Sequence, residues 1–251
     1  MSEKLNIAIC GAGIGGLASA TLLARAGHTV TIFDQFKVPK PVGSGLMLQK
    51  TGLAVLGKMG LREAVDPLGS PIHRLWGVTT PSQRAVLDVR FKKLDSALYG
   101  LGVQRGLVFN LLLQAALDAG AELVTGASVN RVDPQTGQIT LDTQSPNASF
   151  DLVINALGTN SVLSPKKGRH LAYGAIWATL PWRDEENFDK FALEQRYKAA
   201  QQMAGVMPSG KLSADAPVSL TYFWSIKAGE EQKWRAAVSY THLTLPTKRI
   251  V

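Results

Sequence analysis

The chain has 251 residues, of which 45% are hydrophobic and 18% charged, a composition typical of a globular protein rather than a disordered one. Its single cysteine, Cys10, excludes an internal disulfide framework and a cysteine-rich zinc site. The net charge is +8, but the basic clusters at 90–93 and 166–169 are far apart and lack interleaved stacking aromatics, so we expect no nucleic-acid partner. Because no apolar run reaches the roughly 18 residues that span a bilayer and no signal peptide is recognised, we expect a cytoplasmic protein without an integral membrane span.

The first 34 residues predict a strand, a glycine-rich turn, a helix and a second strand. The apolar run 5–10 is typical of a buried parallel strand, and the Ala- and Leu-rich run 17–26 is typical of a helix that stops at Gly27. The β-branched run 29–33 predicts the second strand, which ends at Asp34. The turn between the first strand and the helix has the pattern GxGxxG, and its residues are Gly11, Ala12, Gly13, Ile14, Gly15 and Gly16.

In this context the pattern predicts a dinucleotide-binding site. Gly11 permits the tight turn, Gly13 lets the main chain approach a pyrophosphate, and Gly16 lets the helix pack closely. The phosphates would lie at the helix N-terminus, and Asp34 would bond the ribose hydroxyls. Since the Asp34 carboxylate would repel a 2′-phosphate, we expect FAD or NAD here rather than NADP. A glycine turn that serves packing alone is the alternative.

The segments after Asp34 predict further elements in a mixed order. A loop at 39–45 and a short helix at 53–61 precede two strands, 75–80 and 85–89, that form a hairpin. Arg105 stands just before a helix at 107–117, where the helix dipole opposes a cation and a nearby anion would explain its position. Strands at 121–124, 129–132 and 138–142 follow. A buried strand at 150–156 then ends in a second glycine turn, and a parallel sheet would bring Gly158 to the same ligand.

Together these segments resemble the single-component FAD-dependent aromatic hydroxylases, the family of para-hydroxybenzoate hydroxylase. The resemblance runs from Leu5 to about Ser161, and it is carried by the turn 11–16 with Asp34, the segment 43–48, Arg105 with its leucine-rich helix, and the segment 151–158. It implies that Arg105 reaches the flavin dinucleotide. The family's second cofactor motif has an aspartate–glycine pair where this chain has Leu157–Gly158, so the carboxylate is missing while Gly158 can still allow close backbone approach.

The resemblance implies an α/β fold, with a Rossmann-like FAD-binding βαβ domain and an inserted mixed or antiparallel β-sheet substrate domain, incomplete at the C-terminus. The FAD-binding domain would comprise 1–74 and 100–168, and the partial substrate domain 75–99 and 169–237. No glycine–aspartate segment like the family's third motif follows Ser161. The stretch 238–251 resembles translated sequencing-adaptor DNA, so we expect a non-native tail on a truncated chain; a genuine C-terminal strand and linker is the alternative.

The function that the resemblance implies is that of an FAD-dependent monooxygenase. It would hydroxylate a small substrate, aromatic in this family, with dioxygen and with NAD(P)H as electron donor, and no metal site is expected. The alternatives are an FAD- or NAD-dependent oxidoreductase without oxygen insertion, and an inactive fragment that only binds a nucleotide. No catalytic residue is predicted. Five aromatic residues could line a substrate pocket or fill a core: Trp76, Trp177, Tyr222, Phe223 and Trp224.

Overall fold

The chain divides into two compact units in the computed structural model, which describes residues 3–41, 43–142, 148–165, 171–184, 187–199 and 201–240, the side chains of 237–240 excepted. Unit 1 comprises Met1–Pro41 and Val108–Arg169, and unit 2 comprises Val42–Leu107 and His170–Val251. The stretches 42–74 and 100–107 therefore group with unit 2, whereas the predicted FAD-binding domain includes them. Which residues serve the cofactor and which the substrate stays a prediction.

The secondary structure begins with strands that alternate with helices. Up to residue 72 the elements in chain order are β1 (Asn6–Cys10), α1 (Ile14–Arg25), β2 (Thr29–Asp34), β3 (Gly45–Leu48), α2 (Lys50–Lys58), α3 (Arg62–Val65) and β4 (Ser70–Ile72). Those up to residue 155 are β5 (Arg74–Thr79), β6 (Ala85–Arg90), β7 (Gly100–Gln104), α4 (Arg105–Asp118), β8 (Glu122–Thr125), β9 (Val129–Val132), β10 (Gln138–Leu141), β11 (Ala148–Ser149) and β12 (Leu152–Asn155). The later ones are β13 (Tyr173–Pro181), β14 (Ala192–Lys198), β15 (Gln202–Gly210), β16 (Ser219–Lys227) and α5 (Glu231–Tyr240).

Unit 1 is built on a parallel four-stranded sheet with the order β12-β1-β2-β8. Its two central strands, β1 and β2, are largely apolar and buried: Ile7, Ile9 and Ile32 are fully buried, as is Leu17 of α1. Helix α1 connects β1 to β2 and is followed by Gly27, whose φ of +95° lies in the left-handed region that glycine adopts easily. The predicted βαβ unit is therefore confirmed.

A small antiparallel sheet of order β11-β10-β9 covers the other face of the parallel sheet. The core between the two sheets contains Ala8 and Cys10 of β1 together with Phe33, Ile139 and Phe150. The rings of Phe33 and Phe150 meet edge to face, with centroids 5.8 Å apart. Burial raises the pKa of the Cys10 thiol to about 11, so this side chain is a neutral core residue at physiological pH.

Unit 2 is built on a mixed six-stranded sheet with the order β13-β16-β15-β14-β5-β6, accompanied by an antiparallel sheet of order β3-β7-β4. Strands β5 and β14 are parallel, whereas the other neighbouring pairs are antiparallel. The predicted hairpin is confirmed as β5 and β6, in which Leu75 lies opposite Val89. The two sheets approach closely, since a Cβ added to Gly102 of β7 would overlap the main-chain oxygen of Pro208 in β15. The α/β class, with a Rossmann-like unit and a separate mixed sheet, is thus confirmed.

Several predicted boundaries differ from those of the structure, and three of them concern the core or a predicted site residue or have an evident hydrogen-bond cause. Helix α2 begins three residues earlier than predicted, because the Leu53 N–H already donates to the Gln49 oxygen at 2.9 Å. Helix α4 includes Arg105 as its first residue, so Arg105 does not precede the helix. The predicted strand at 150–156 shortens to β12, because Phe150 packs in the core and the Asp151 carboxylate accepts a hydrogen bond from the Asn6 N–H at 2.7 Å.

Part of the predicted tail and one basic cluster fall outside the described residues. Residues 238–240 continue α5, whereas 241–251 lie outside, as do 166–170. Among the residues that are described, no helix is long and apolar enough to cross a membrane.

Candidate cofactor-binding site

The candidate site of unit 1 lies at the carboxyl end of β1. The strands β12 and β2 flank β1 in parallel, and Cys10 at its end pairs with Asn155 on one side and Phe33 on the other. The chain leaves β1 toward β2 through α1, while β12 lies on the opposite side. Such a reversal of strand order is the place where parallel α/β sheets bind ligands, because the connections diverge and leave a crevice.

Two glycines of the first turn are explained by packing within unit 1. Gly11 has a φ of +109°, and a Cβ there would lie 2.5 Å from the main-chain oxygen of Ala156. A Cβ on Gly16 would overlap the main-chain oxygen of Gly11 and lie 3.3 Å from the Ala156 Cβ. The turn after β1, the turn after β12 and the first turn of α1 therefore meet in van der Waals contact, with no room for side chains at Gly11 or Gly16.

The other two glycines of the turn have no such explanation. A Cβ added to Gly13 or to Gly15 would meet no described atom within 4 Å, and both residues are exposed. Gly13 has an extended backbone, with φ −75° and ψ 176°, that any residue adopts. A Cβ on Gly158, whose φ is +79°, would also project into open space. The fold therefore leaves a surface of bare main chain around Gly13 and Gly15, as a ligand that must approach the backbone requires.

The N-terminus of α1 provides the polar groups of this surface. Gly13 is the N-cap residue, and within the described residues no side chain caps the helix and no acidic residue occupies its first turn. The first N–H groups of a helix have no partner inside the helix, and they carry the positive end of its dipole. Ile14 and Gly15 contribute such groups next to the open space at Gly13. An anion such as a diphosphate fits this terminus.

Asp34 links the end of β2 to the glycine turn. Asp34 is 9% exposed, and its Oδ2 atom accepts a hydrogen bond from the Ala12 N–H at 2.8 Å. Its Oδ1 atom accepts one from the Phe36 N–H at 2.9 Å. A carboxylate offers about four acceptor positions, so both oxygens keep capacity for ribose hydroxyls. Asp34 thus has a structural role at the turn that the sequence pattern did not predict.

Substituting Asp34 should therefore affect stability as well as ligand binding. In Asp34→Ala the N–H groups of Ala12 and Phe36 lose their acceptor, and we expect the free energy of unfolding to fall by about 2 kcal/mol. Asp34→Asn keeps one acceptor oxygen and should lose roughly half as much. Chemical denaturation of the apoprotein measures both changes. Equal stability of all three proteins would contradict the bonding described for Asp34.

The turn after β12 is held by its own side chains. The Asn155 Oδ1 atom accepts hydrogen bonds from the Ser161 hydroxyl at 2.8 Å and from the Leu157 N–H at 3.3 Å. The Ser161 N–H donates to the Gly158 oxygen at 3.2 Å. These bonds fix Gly158 without a carboxylate at position 157, and the Ala156 N–H donates to the Cys10 oxygen at 2.8 Å.

Arg105, the remaining predicted site residue, lies in unit 2 at the start of α4. Its N–H donates to the Ser44 oxygen at 3.2 Å. Its side chain lies over Gly43, since a Cβ added to Gly43 would be 2.6 Å from Nη1 and 2.9 Å from Cζ. The φ of Gly43 is +121°, so a side chain there would be strained as well. The segment Gly43–Gly45 thus sets the course of both the main chain and the side chain of Arg105.

Two residues of unit 2 that contact this segment were not identified from the sequence. The hydroxyls of Thr179 and Thr221 lie 2.6 and 3.0 Å from the Ser44 hydroxyl. Both threonines are far from Ser44 in the chain, and nothing in the local sequence singles them out. Their common feature is register: Thr179 and Thr221 are directly opposite each other on β13 and β16.

Among the described residues, no group of three or more His, Cys, Asp or Glu side chains could hold a metal ion.

Comparison with known proteins identifies the family. Residues 4–163 match the family described as FAD binding domain. The chain is 31% identical over 193 residues to 6-hydroxynicotinate 3-monooxygenase of Bordetella bronchiseptica, covering 71% of this chain and 49% of that protein. It is also 31% identical over 168 residues to 3-amino-4-hydroxybenzoate 2-monooxygenase of Streptomyces cremeus, covering 65% and 42%. The chain thus spans about half the length of these curated relatives.

A solved structure supports the fold. The tetrameric form of 2-methyl-3-hydroxypyridine-5-carboxylic acid oxygenase matches with a TM-score of 0.77 at 17% identity, covering 98% of this chain and 66% of that one. At this identity the likeness concerns the fold alone. The family match covers both glycine turns, Asp34 and Arg105. The chain therefore belongs to the FAD-binding-domain family of the FAD-dependent aromatic hydroxylases.

Proposed function

We propose that the protein is a flavin-dependent monooxygenase that hydroxylates a small aromatic substrate with NAD(P)H and dioxygen. The observation that carries the proposal is the bare main chain at Gly13 and Gly15, beside an uncapped helix N-terminus, where strand order reverses. Both curated relatives are named as monooxygenases, and the substrates in their names are aromatic rings that carry a hydroxyl group. FAD, when bound, supplies the redox chemistry, passing electrons from a nicotinamide to dioxygen, of which one oxygen atom enters the substrate.

The residues of unit 1 would hold the cofactor through its diphosphate and ribose. The N–H groups of the first turn of α1 would bond the phosphate oxygens, and the helix dipole would favour their charge. Asp34 would accept hydrogen bonds from ribose hydroxyls through the carboxylate lone pairs that the Ala12 and Phe36 N–H groups do not occupy. Gly158, at the second turn, would let the main chain approach the same ligand.

Arg105 would contribute positive charge to the phosphates. It stands in the first turn of α4, where the positive end of the helix dipole disfavours a cation. A bound anion would compensate for that position. Since Arg105 would act on the ligand through charge and hydrogen bonds, Arg105→Gln is the natural variant for testing its part in cofactor affinity.

The aromatic residues of unit 2 divide between the two faces of the six-stranded sheet. Trp177 lies opposite Phe223, on the same face as Thr179 and Thr221, because residues two apart on a strand share a face. Tyr222 and Trp224 lie on the other face. The Phe223 ring lies over Gly205, where an added Cβ would overlap it. We therefore assign Trp177 and Phe223, rather than Tyr222 and Trp224, to the substrate side, next to the Gly43–Gly45 segment.

The test is reconstitution of the purified chain with FAD. We expect saturable binding, followed by flavin fluorescence and absorbance, and weaker binding of NAD at the same site. Oxidation of NADH or NADPH should then consume dioxygen in the presence of hydroxylated aromatic carboxylic acids or pyridines and yield a product one oxygen atom heavier. Failure to bind FAD would overturn the proposal. Substrate oxidation without oxygen in the product would favour a simple oxidoreductase, and binding without turnover would favour a nucleotide-binding fragment.

A further inference from the structure

A cluster of hydroxyl groups joins the Gly43–Gly45 segment to the six-stranded sheet of unit 2. The Ser44 hydroxyl lies 2.6 Å from the Thr179 hydroxyl and 3.0 Å from the Thr221 hydroxyl. The Thr221 hydroxyl also accepts a hydrogen bond from the Gly45 N–H at 2.9 Å. Ser44 and Thr221 are 6% and 4% exposed, so these bonds are made away from solvent.

Ser209 and Gln104 extend the cluster of polar side chains around Gly45. A Cβ added to Gly45 would lie 2.5 Å from the Ser209 Cβ and would overlap the Thr221 hydroxyl. The Ser209 hydroxyl, itself fully buried, accepts a hydrogen bond from the Gln104 side-chain amide at 2.9 Å. Gln104 immediately precedes Arg105 and pairs with Gly45 between β7 and β3. The hydroxyls therefore contact both β7, which leads into Arg105, and its neighbour β3, which begins at Gly45.

These side chains do not serve packing alone. Valine has nearly the shape of threonine, and in the interior of a sheet it avoids the cost of burying a hydroxyl group. Buried hydroxyls that close on one another instead fix a unique geometry, because each must keep its partner. What they fix here is the segment whose Ser44 oxygen accepts the Arg105 N–H and whose Gly43 lies under the Arg105 side chain.

We infer that Thr221, assisted by Thr179, is a positioning residue for the cofactor. Its hydroxyl fixes the Gly43–Gly45 segment through hydrogen bonds, and this segment holds Arg105 in the orientation that contacts the phosphates of FAD. The inference rests on the proposed function, because it supposes that Arg105 contacts FAD. Thr221 itself acts only through the segment. The same hydrogen bonds also connect the segment next to Arg105 to the sheet face that carries Trp177 and Phe223.

The experiment measures FAD affinity by flavin fluorescence in single and double variants. Thr221→Val removes the hydroxyl at nearly constant shape, and we expect about tenfold weaker FAD binding. Thr221→Ser keeps the hydroxyl and should restore most of the affinity. The matched control is Thr21→Val, since Thr21 is also fully buried and bonds the Leu17 oxygen within α1; it should bind FAD as the unaltered protein does.

The decisive readout is the double variant with Arg105→Gln. If Thr221 acts through Arg105, Thr221→Val should weaken binding no further in that background. Additive losses, or unchanged affinity of Thr221→Val alone, would overturn the inference. Should Thr221→Val fail to fold, as circular dichroism would reveal, Thr179→Val in both backgrounds decides by the same criterion, with a smaller loss of a few-fold expected. If the unaltered protein binds no FAD, the proposed function fails instead.

Discussion

A carboxylate at position 13 should abolish FAD binding while leaving the apoprotein fully folded. In Gly13→Asp the new side chain starts from a Cβ that meets no described atom within 4 Å, so the fold has room for it. The backbone of Gly13 is extended and acts as the N-cap of α1, a position where aspartate is among the preferred residues. We therefore expect the apoprotein to be about 0.5 kcal/mol more stable than the unaltered protein.

The same carboxylate would occupy the place of the diphosphate. It would bond the N–H groups of the first turn itself and would repel the phosphates, so we expect FAD affinity to fall by at least about 100-fold. Chemical denaturation of the apoprotein and fluorescence titration with FAD measure the two effects. Gly13→Asn separates charge from size: it should also cap the helix but should bind FAD better than Gly13→Asp does. Retained FAD affinity in Gly13→Asp would remove the glycine turn from the cofactor site.

The opposite signs of these two effects distinguish a ligand site from a packing motif. Replacing a glycine that the fold needs lowers the stability of the protein, whereas replacing a glycine that only a ligand needs lowers the affinity for that ligand alone. The sequence pattern GxGxxG does not make this distinction, since all its glycines look alike. The structure does, because Gly11 and Gly16 are closed in by main-chain atoms whereas Gly13 and Gly15 are open.

The sequence predicted the βαβ unit well because its signals are local. The glycine turn, the helix and the strand ending at Asp34 are contiguous, and the sheet places Gly158 beside them through the parallel pairing of β1 with β12. The hydrogen bond from the Ala12 N–H to the Asp34 carboxylate does not follow from these local signals. Strand order alone does not say where a side-chain oxygen points.

The hydroxyl cluster of unit 2 escaped prediction for the opposite reason. Ser44 lies 135 residues from Thr179 and 177 from Thr221 in the chain, so no window of sequence contains the contact. The sheet that brings them together also includes a parallel pairing of β5 with β14, which neither strand's sequence indicates. Alternation within β16 does separate Phe223 from Tyr222 and Trp224, but which face meets the Gly43–Gly45 segment depends on those distant partners.

Gly16→Ala should destabilise unit 1 strongly, whereas the same change one residue earlier should not. A Cβ at Gly16 overlaps the main-chain oxygen of Gly11, which cannot rotate away as a flexible side chain could. We expect a loss of about 3 kcal/mol in the free energy of unfolding, which corresponds to a fall of on the order of 10 °C in Tm for a chain of this size. FAD should partly restore the Tm, because a ligand that binds only the folded state stabilises it.

Gly15→Ala is the matched control, since it adds the same methyl group to the same helix turn. Its Cβ meets no described atom within 4 Å, and alanine is a better helix former than glycine, so the apoprotein should gain about 0.5–1 kcal/mol. Its cost should fall on FAD affinity, because the methyl group stands in the open space left for the phosphates. Thermal unfolding of both apoproteins, with and without FAD, separates the two variants. Equal stability of Gly15→Ala and Gly16→Ala would mean that the turns after β1 and β12 do not meet as described, and that the crevice at the end of β1 has a different shape.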